Sequence, residues 1–166
     1  VLMVDLIQGD IVKAFQKGEV TNLVHCCNVR GVMGGGVAKQ IAQAYPQCLE
    51  RYQAVCDKMD NPEKLLGTYM HYNVGNDQVI YNLFGQENPS TNGRQVHYGY
   101  LFKGLHDINA RLRAESYRTG APIELACPML GAGSARGDWN IILEIIETLF
   151  ADNSQVNLTI YSLDPI

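Results

Sequence analysis

The residues best suited to chemistry gather in two glycine-rich turns roughly a hundred positions apart in the chain. The first reads Asn28-Val29-Arg30-Gly31-Val32-Met33-Gly34-Gly35-Gly36-Val37 and follows His25-Cys26-Cys27. The second reads Met129-Leu130-Gly131-Ala132-Gly133-Ser134-Ala135-Arg136-Gly137-Asp138-Trp139. Each leaves an apolar run and opens into a helical pattern, so unpaired backbone N–H groups and a positive helix end are aimed at one place. Glycine removes the Cβ that would hold a ligand off the backbone. Two such turns make a cradle for a diphosphate. His25 is a residue type that titrates near neutrality and can act as acid or base, although a strand histidine bonded to its neighbours accounts for it too. Arg136 is either a phosphate partner or a solvated loop arginine. Asp138 suits the N-cap of the helix that follows.

Other anion-binding readings fit less well. A P-loop needs Gly-Lys-Ser/Thr after its last glycine, and neither turn has it. Gly131-Ala132-Gly133-Ser134-Ala135-Arg136 supplies two of the three glycines of a dinucleotide fingerprint. It follows the fifth strand instead of the first, and Asp152, the acidic residue at about the required distance, precedes a strand instead of ending one. Plain tight turns that use glycine for positive φ remain the bland alternative.

The elements that must hold these turns are readable from periodicity and breakers. Leu2–Gln8, Asn22–Cys27, Gly67–Val74, Gln78–Phe84, Ile123–Cys127 and Val156–Leu163 read as strands. Gly75-Asn76-Asp77 joins two of them as a hairpin. Ile11–Gln16 reads as a helical turn. Val37, Ile41 and Ala44 recur at helical spacing until Pro46, and Gln47–Lys58 forms a second helix. A long helix is predicted between Arg94 and Arg118, and another beyond Asp138 with Ile142, Ile145, Ile146 and Leu149 on its apolar face. Asp60-Asn61-Pro62 and Gly85–Gly93 read as loops, the second placed to lie over a ligand. His97, Tyr98 and Tyr100 follow it. Strands alternating with helices around one hairpin predict an α/β fold, a three-layer α/β/α sandwich with a mixed central sheet. Ligands in such sheets sit beyond the carboxyl ends of the strands, where both glycine turns emerge.

Composition narrows the class. The 166 residues are 46% hydrophobic and 18% charged, with a formal net charge of −4. This suits one globular domain, spanning 1–166, and argues against a nucleic-acid polymer as partner, which favours a basic face. A small anion held by backbone amides needs no net positive charge. The five cysteines, Cys26, Cys27, Cys48, Cys56 and Cys127, lack CxxC spacing. They read as free thiols of a cytoplasmic protein, with no metal site. No apolar stretch reaches membrane-spanning length, so no membrane partner is expected.

His25-Cys26-Cys27-Asn28 with Gly34-Gly35-Gly36-Val37-Ala38 and Tyr45-Pro46 resembles the first ligand loop of macro domains. Gly9-Asp10-Ile11 resembles that family's early Gly-Asp-Ile element, and Leu130-Gly131-Ala132-Gly133 with Trp139 resembles its second loop. The resemblance runs through nearly the whole chain in family order. It is nearest the branch of yeast-type ADP-ribose-1″-phosphate phosphatases and small deacylating macro domains. It implies a monomeric macro domain without a cofactor, whose ligand is ADP-ribose or a derivative, ADP-ribosylated protein included.

Residue by residue, the resemblance implies that Asp10 accepts the adenine amine, with Gly9 and Ile11 beside it. Asn28, next to Cys27, would bond the distal ribose. Met33, Gly34, Gly35, Gly36 and Val37 would wrap that ribose and its phosphate. Leu130, Gly131, Ala132, Gly133, Ser134, Ala135 and Arg136 would line the diphosphate. The deacylating relatives carry an aspartate where this chain has Ala135, and the lysine they place before the long helix is replaced by Arg94 or Gln95. The phosphatase branch has a histidine where His25 stands. The implied activity is hydrolysis of ADP-ribose 1″-phosphate with His25 and Asn28 as catalytic residues. The alternatives are a non-catalytic reader of ADP-ribose or ADP-ribosylated protein, and a hydrolase of acyl- or protein-linked ADP-ribose.

Overall fold

The computed structural model describes residues 4–165. Six strands form one sheet: β1 (Asp5–Gln8), β2 (Asn22–Asn28), β3 (Tyr69–Gly75), β4 (Gln78–Gln86), β5 (Ile123–Cys127) and β6 (Val156–Ser162). Their order across the sheet is β1-β6-β5-β2-β4-β3. All neighbours are parallel except the β3–β4 hairpin. The turn of that hairpin holds Asn76 and Asp77 at positive φ, as its tight connection requires. Leu2 and Met3 of the predicted first strand lie outside the described residues.

Strand alternation divides the core into two layers. Val24, Leu83, Leu125, Leu158 and Ile160 face helices α4 (Tyr98–Thr119) and α5 (Trp139–Phe150). Leu23, Ile80 and Ala126 face helices α1 (Ile11–Gln16) and α2 (Gly36–Ala44). Cys27 and Phe84 face α3 (Pro46–Asp57) on the same side. The predicted three-layer sandwich with a mixed sheet is therefore the observed architecture.

Three boundaries differ from expectation for local reasons. Pro46 ends α2 but also begins α3, because proline's missing N–H costs nothing at a first helical position. The long helix starts at Tyr98 instead of Arg94, since Val96 bridges to Gln86 in a β-like contact first. The loop after Asp60 contains a short 3-10 turn over Pro62–Leu65.

Candidate functional site

Both glycine turns leave the carboxyl ends of central strands and face each other across β2 and β5. At the end of β2 the register with β4 slips, so that Cys27 pairs with Phe84 but Asn28 with Gln86. The residue passed over is Gly85, whose missing Cβ would stand 2.7 Å from Cys26 Sγ. The slip carries Asn28 clear of the sheet and into the first turn.

Helix α2 begins on that turn without a side-chain cap, its N-cap being Gly35. By contrast Asp10 caps α1 by accepting from Lys13 N at 3.1 Å, and Asp138 caps α5 by accepting from Asn140 N at 2.9 Å. The amides of Gly36, Val37 and Ala38 therefore point outward with no partner, as an anion site needs. Gly34 and Gly35 are exposed, and a Cβ at Gly35 or Gly36 would meet no atom within 4 Å. The space a ligand would take is open.

The second turn is tighter. Arg136 N donates to Gly133 O and Gly137 N to Gly131 O, at 3.0 and 2.7 Å. Among the described residues, the N–H groups of Gly133, Ser134 and Ala135 find no protein acceptor. Gly131 and Arg136 both sit at positive φ, 65° and 58°.

Between the turns lies a cavity of about 390 Å³, bordered by Asn28, Gly34–Ala38, Gln86, Thr91 and Gly133–Ala135. A second cavity of about 430 Å³ continues past Gly36, Val37, Pro128, Met129 and Gly133 toward Gly9, Asp10 and Ile11. The two share those five residues and make one groove across the carboxyl end of the sheet. A larger depression of about 1040 Å³ opens at the opposite end, but its arginines are engaged. Arg118 pairs with Glu115, and Arg111 faces the Tyr69 and Tyr81 phenols.

The segment from Glu87 to His97 straps the first cavity from above. Arg30, in the first turn, holds it through Glu87 at 3.5 Å and Asn88 Oδ1 at 3.1 Å. From the second turn, Ala135 O accepts from Gln95 N at 2.8 Å, and Arg136 Nη1 donates to Thr91 O at 3.3 Å. The loop singled out between Gly85 and Gly93 thus contributes Gln86, Pro89 and Thr91 to the wall.

Among the described residues, no aspartate, glutamate, lysine or arginine borders the first cavity. Its titratable neighbours are uncharged at neutral pH. Burial pushes the Cys26 thiol up to about 12, and the Cys27 thiol well above its ordinary range. His25 shares its sheet face with Leu23 and Cys27, borders the first cavity and is 2% exposed. Nε2 lies 2.5 Å from Asn82 Oδ1 and 3.4 Å from Cys27 Sγ. Burial lowers its pKa to about 4, against a smaller upward pull from the Asn82 bond. The expected titration near neutrality is thereby corrected: the low-dielectric site disfavours the charged ring.

A Macro domain family profile matches residues 24–146, which include both turns. The chain belongs to the Macro domain family. Macro domains form an ADP-ribose-binding family. The 17.5 kDa protein of the tk-vs intergenic region of Enterobacteria phage T4 is 29% identical over 99% of each chain. The DNA ADP-ribosyl glycohydrolase of Thermus aquaticus is 24% identical over 96% of this chain, which spans 41% of that protein. The ADP-ribose 1″-phosphate phosphatase of Candida albicans is 32% identical over 58% of this chain and 61% of its own. Among solved structures, the macrodomain of Mycobacterium tuberculosis DarG superimposes with a TM-score of 0.76, at 22% identity over 97% of this chain and 98% of its own.

Within this macro domain the predicted residues fall into four groups. His25, Cys27, Asn28, Gly34, Gly35, Leu130, Gly131, Ser134 and Ala135 border the first cavity. Gly9, Asp10, Ile11 and Ala132 border the second, while Gly36, Val37 and Gly133 border both. Met33 and Arg136 border neither. Met33 packs against Cys27, Tyr52 and Phe84 beneath the first turn, because its side chain is drawn into the α3 core. Arg136 turns outward to the strap. Sequence reading missed Gln86, at the slipped register, Tyr161, near the end of the last strand, and Asp164, beyond it. The position of the carboxyl ends of β4 and β6 was the available signal for all three.

Proposed function

We propose that the groove binds ADP-ribose lengthwise and that the chain hydrolyses ADP-ribose 1″-phosphate to ADP-ribose and phosphate. Adenine would sit against Asp10 and Ile11, the diphosphate between the amides of α2 and of the second turn, and the distal ribose at Asn28. Helix-end contacts supply about 0.3–1 kcal/mol each at exposed sites. Micromolar affinity requires about 8 kcal/mol, so direct amide bonds to phosphate and burial of adenine must supply the rest.

The observation that carries the reading is the carboxylate-free, donor-lined first cavity. A phosphate monoester carries negative charge that neighbouring carboxylates would repel, and bare amides attract it. Phosphoryl transfer asks little of the protein beyond positioning and charge stabilisation. Glycosidic cleavage ordinarily uses a pair of carboxylates, and this cavity has none. The likeness to fungal phosphatases supports the same reading. Asn28 would orient the substrate, and His25, neutral and buried, would support Asn28's strand without exchanging a proton.

The lack of a titrating group in the cavity also favours a second reading, a reader that binds ADP-ribose without turnover. One paired assay separates them. ADP-ribose 1″-phosphate and ADP-ribosylated protein and DNA are incubated with the protein, and phosphate and free ADP-ribose are measured. Phosphate from the first and nothing from the adducts is expected. ADP-ribose released from an adduct with no phosphatase activity overturns the proposal, and binding without either product selects the reader.

A further inference from the structure

The orientation of the Asn28 side chain, at the distal end of the groove, is over-determined from below. Its Oδ1 accepts from Arg30 N at 2.9 Å, from Val32 N at 3.3 Å and from the Tyr52 hydroxyl at 2.8 Å. Its Nδ2 donates to Val32 O at 2.8 Å. The Tyr52 hydroxyl and two backbone donors facing the oxygen, with one backbone acceptor facing the nitrogen, together set the orientation of the amide. The carbonyl oxygen is consumed by the protein. Only the second N–H of Nδ2 is left for a ligand, so Asn28 offers this end of the groove a donor and no acceptor.

Tyr52 is the part of this arrangement that does not come from the turn itself. It rises from α3, 24 residues along the chain, and is fully buried. Its hydroxyl lies 2.6 Å from Asn28 O as well as 2.8 Å from Oδ1, so one proton is shared between the main chain and side chain of the same residue. The ring stacks on Phe84 at 5.9 Å and 21°, which ties the hydroxyl to the strand where the register slips. Met33 and Cys56 close around it.

We infer that Tyr52 is a positioning residue that locks the Asn28 carboxamide with its N–H toward the distal end of the groove. It thereby keeps a donor aimed at ligands presenting an oxygen acceptor there, a phosphate or a ribose hydroxyl. The inference rests on the ADP-ribose reading of the groove. Without the hydroxyl, Oδ1 keeps two backbone donors but loses the third, and the amide gains freedom to turn. The phosphate and adenine ends of the groove do not touch Tyr52.

The test is Tyr52→Phe, which keeps the ring, its volume and its stacking on Phe84. Binding of ADP-ribose and of ADP, which lacks the distal ribose, is measured by calorimetry on both proteins. The expected result is a loss of about fivefold to tenfold for ADP-ribose with ADP affinity unchanged, the range one hydrogen bond supports. In an Asn28→Ala background the same substitution is expected to change neither affinity, because the effect runs through the carboxamide. Equal losses for ADP and ADP-ribose would mean a general structural role and overturn the inference. So would an unchanged ADP-ribose affinity. If the variant is partly unfolded, the ratio of the two affinities on the folded fraction still decides. Should the unaltered protein bind neither nucleotide, the ADP-ribose reading itself fails, a different outcome from either.

Discussion

The two glycine turns look alike in sequence and differ in what their glycines do. In the first, Gly35 and Gly36 border empty space, and the helix behind them is left uncapped. In the second, Gly131 and Gly137 are packed in. A Cβ on Gly137 would lie 2.7 Å from Gly131 O, from Ile142 Cδ1 and from Val96 Cγ1, and one on Gly131 2.8 Å from Val96 Cγ2. Only Gly133 of the second turn faces open space. Glycine thus leaves open space at the first turn, where Gly31 and Gly36 also take positive φ, and serves mostly packing in the second. One turn is an open surface braced from beneath; the other is a packed wall with a few free amides.

The sharpest way to break this contrast is charge in the first turn. Gly35→Glu places bulk and a negative charge among unpaired amides, and ADP-ribose affinity is expected to fall at least about 100-fold, roughly 2.7 kcal/mol. Thermal stability should hardly move, because no atom lies within 4 Å of the new Cβ. Unchanged affinity by calorimetry would remove the cradle.

Beneath the same turn, His25 tests whether the first turn is braced or reactive. Its folded pKa, about 4, lies below the ordinary 6.5, so the unfolded chain binds the proton more readily. The contribution to stability is therefore complete above pH 6.5 and is lost as pH falls toward 4. Two and a half pKa units correspond to at most about 3 kcal/mol. Urea midpoints from pH 7.5 to 4.5 should fall more steeply for the unaltered protein than for His25→Gln. Parallel curves would contradict the burial argument. A hydrolysis rate with an inflection near pH 6.5 that vanishes in His25→Gln would return the imidazole to a catalytic role.

In the second turn the expected effect is on folding. Gly137→Ala meets a backbone oxygen that cannot move aside without breaking the Gly137 N to Gly131 O bond. Overpacking of this kind costs about 1–3 kcal/mol. Gly133→Ala, with open space around it and no positive φ, should leave stability unchanged or raise it by about 0.4–1 kcal/mol. Denaturant midpoints for the pair settle the matter, and equal losses would mean that the second turn is as open as the first.

Much of this was legible in the chain because it depends on local chemistry. Breakers and periodicity announced both turns, the helices behind them and the hairpin at Asn76-Asp77. What stayed hidden depends on contacts between distant segments. That Asn28 is held by Tyr52 requires knowing that α3 packs beneath the first turn. That Met33 is core and not lining has the same cause. His25 stood closer to being readable, since parity with Leu23 and Cys27 assigns it to a sheet face. Which face lies under the groove is settled only by the tertiary fold. The strap across the cavity was visible as a loop, but its anchoring by Arg30 and Arg136 was not.

Arg136 offers the smallest effect and the finest distinction between the turns. A loop arginine beside a diphosphate cradle invites a role as phosphate partner, and its positive φ of 58° marks the backbone as constrained. Yet the guanidinium borders neither cavity and donates to Thr91 O at 3.3 Å, over the strap. If the amides of the second turn do the binding, Arg136→Ala should weaken ADP-ribose by less than about threefold and leave its salt dependence unchanged, because an exposed side chain held elsewhere adds little. A tenfold loss together with a flatter salt dependence would show that the guanidinium swings in to meet the phosphates. The second turn would then hold its ligand by side-chain charge where the first relies on bare amides, and the contrast between them would be one of chemistry as well as packing.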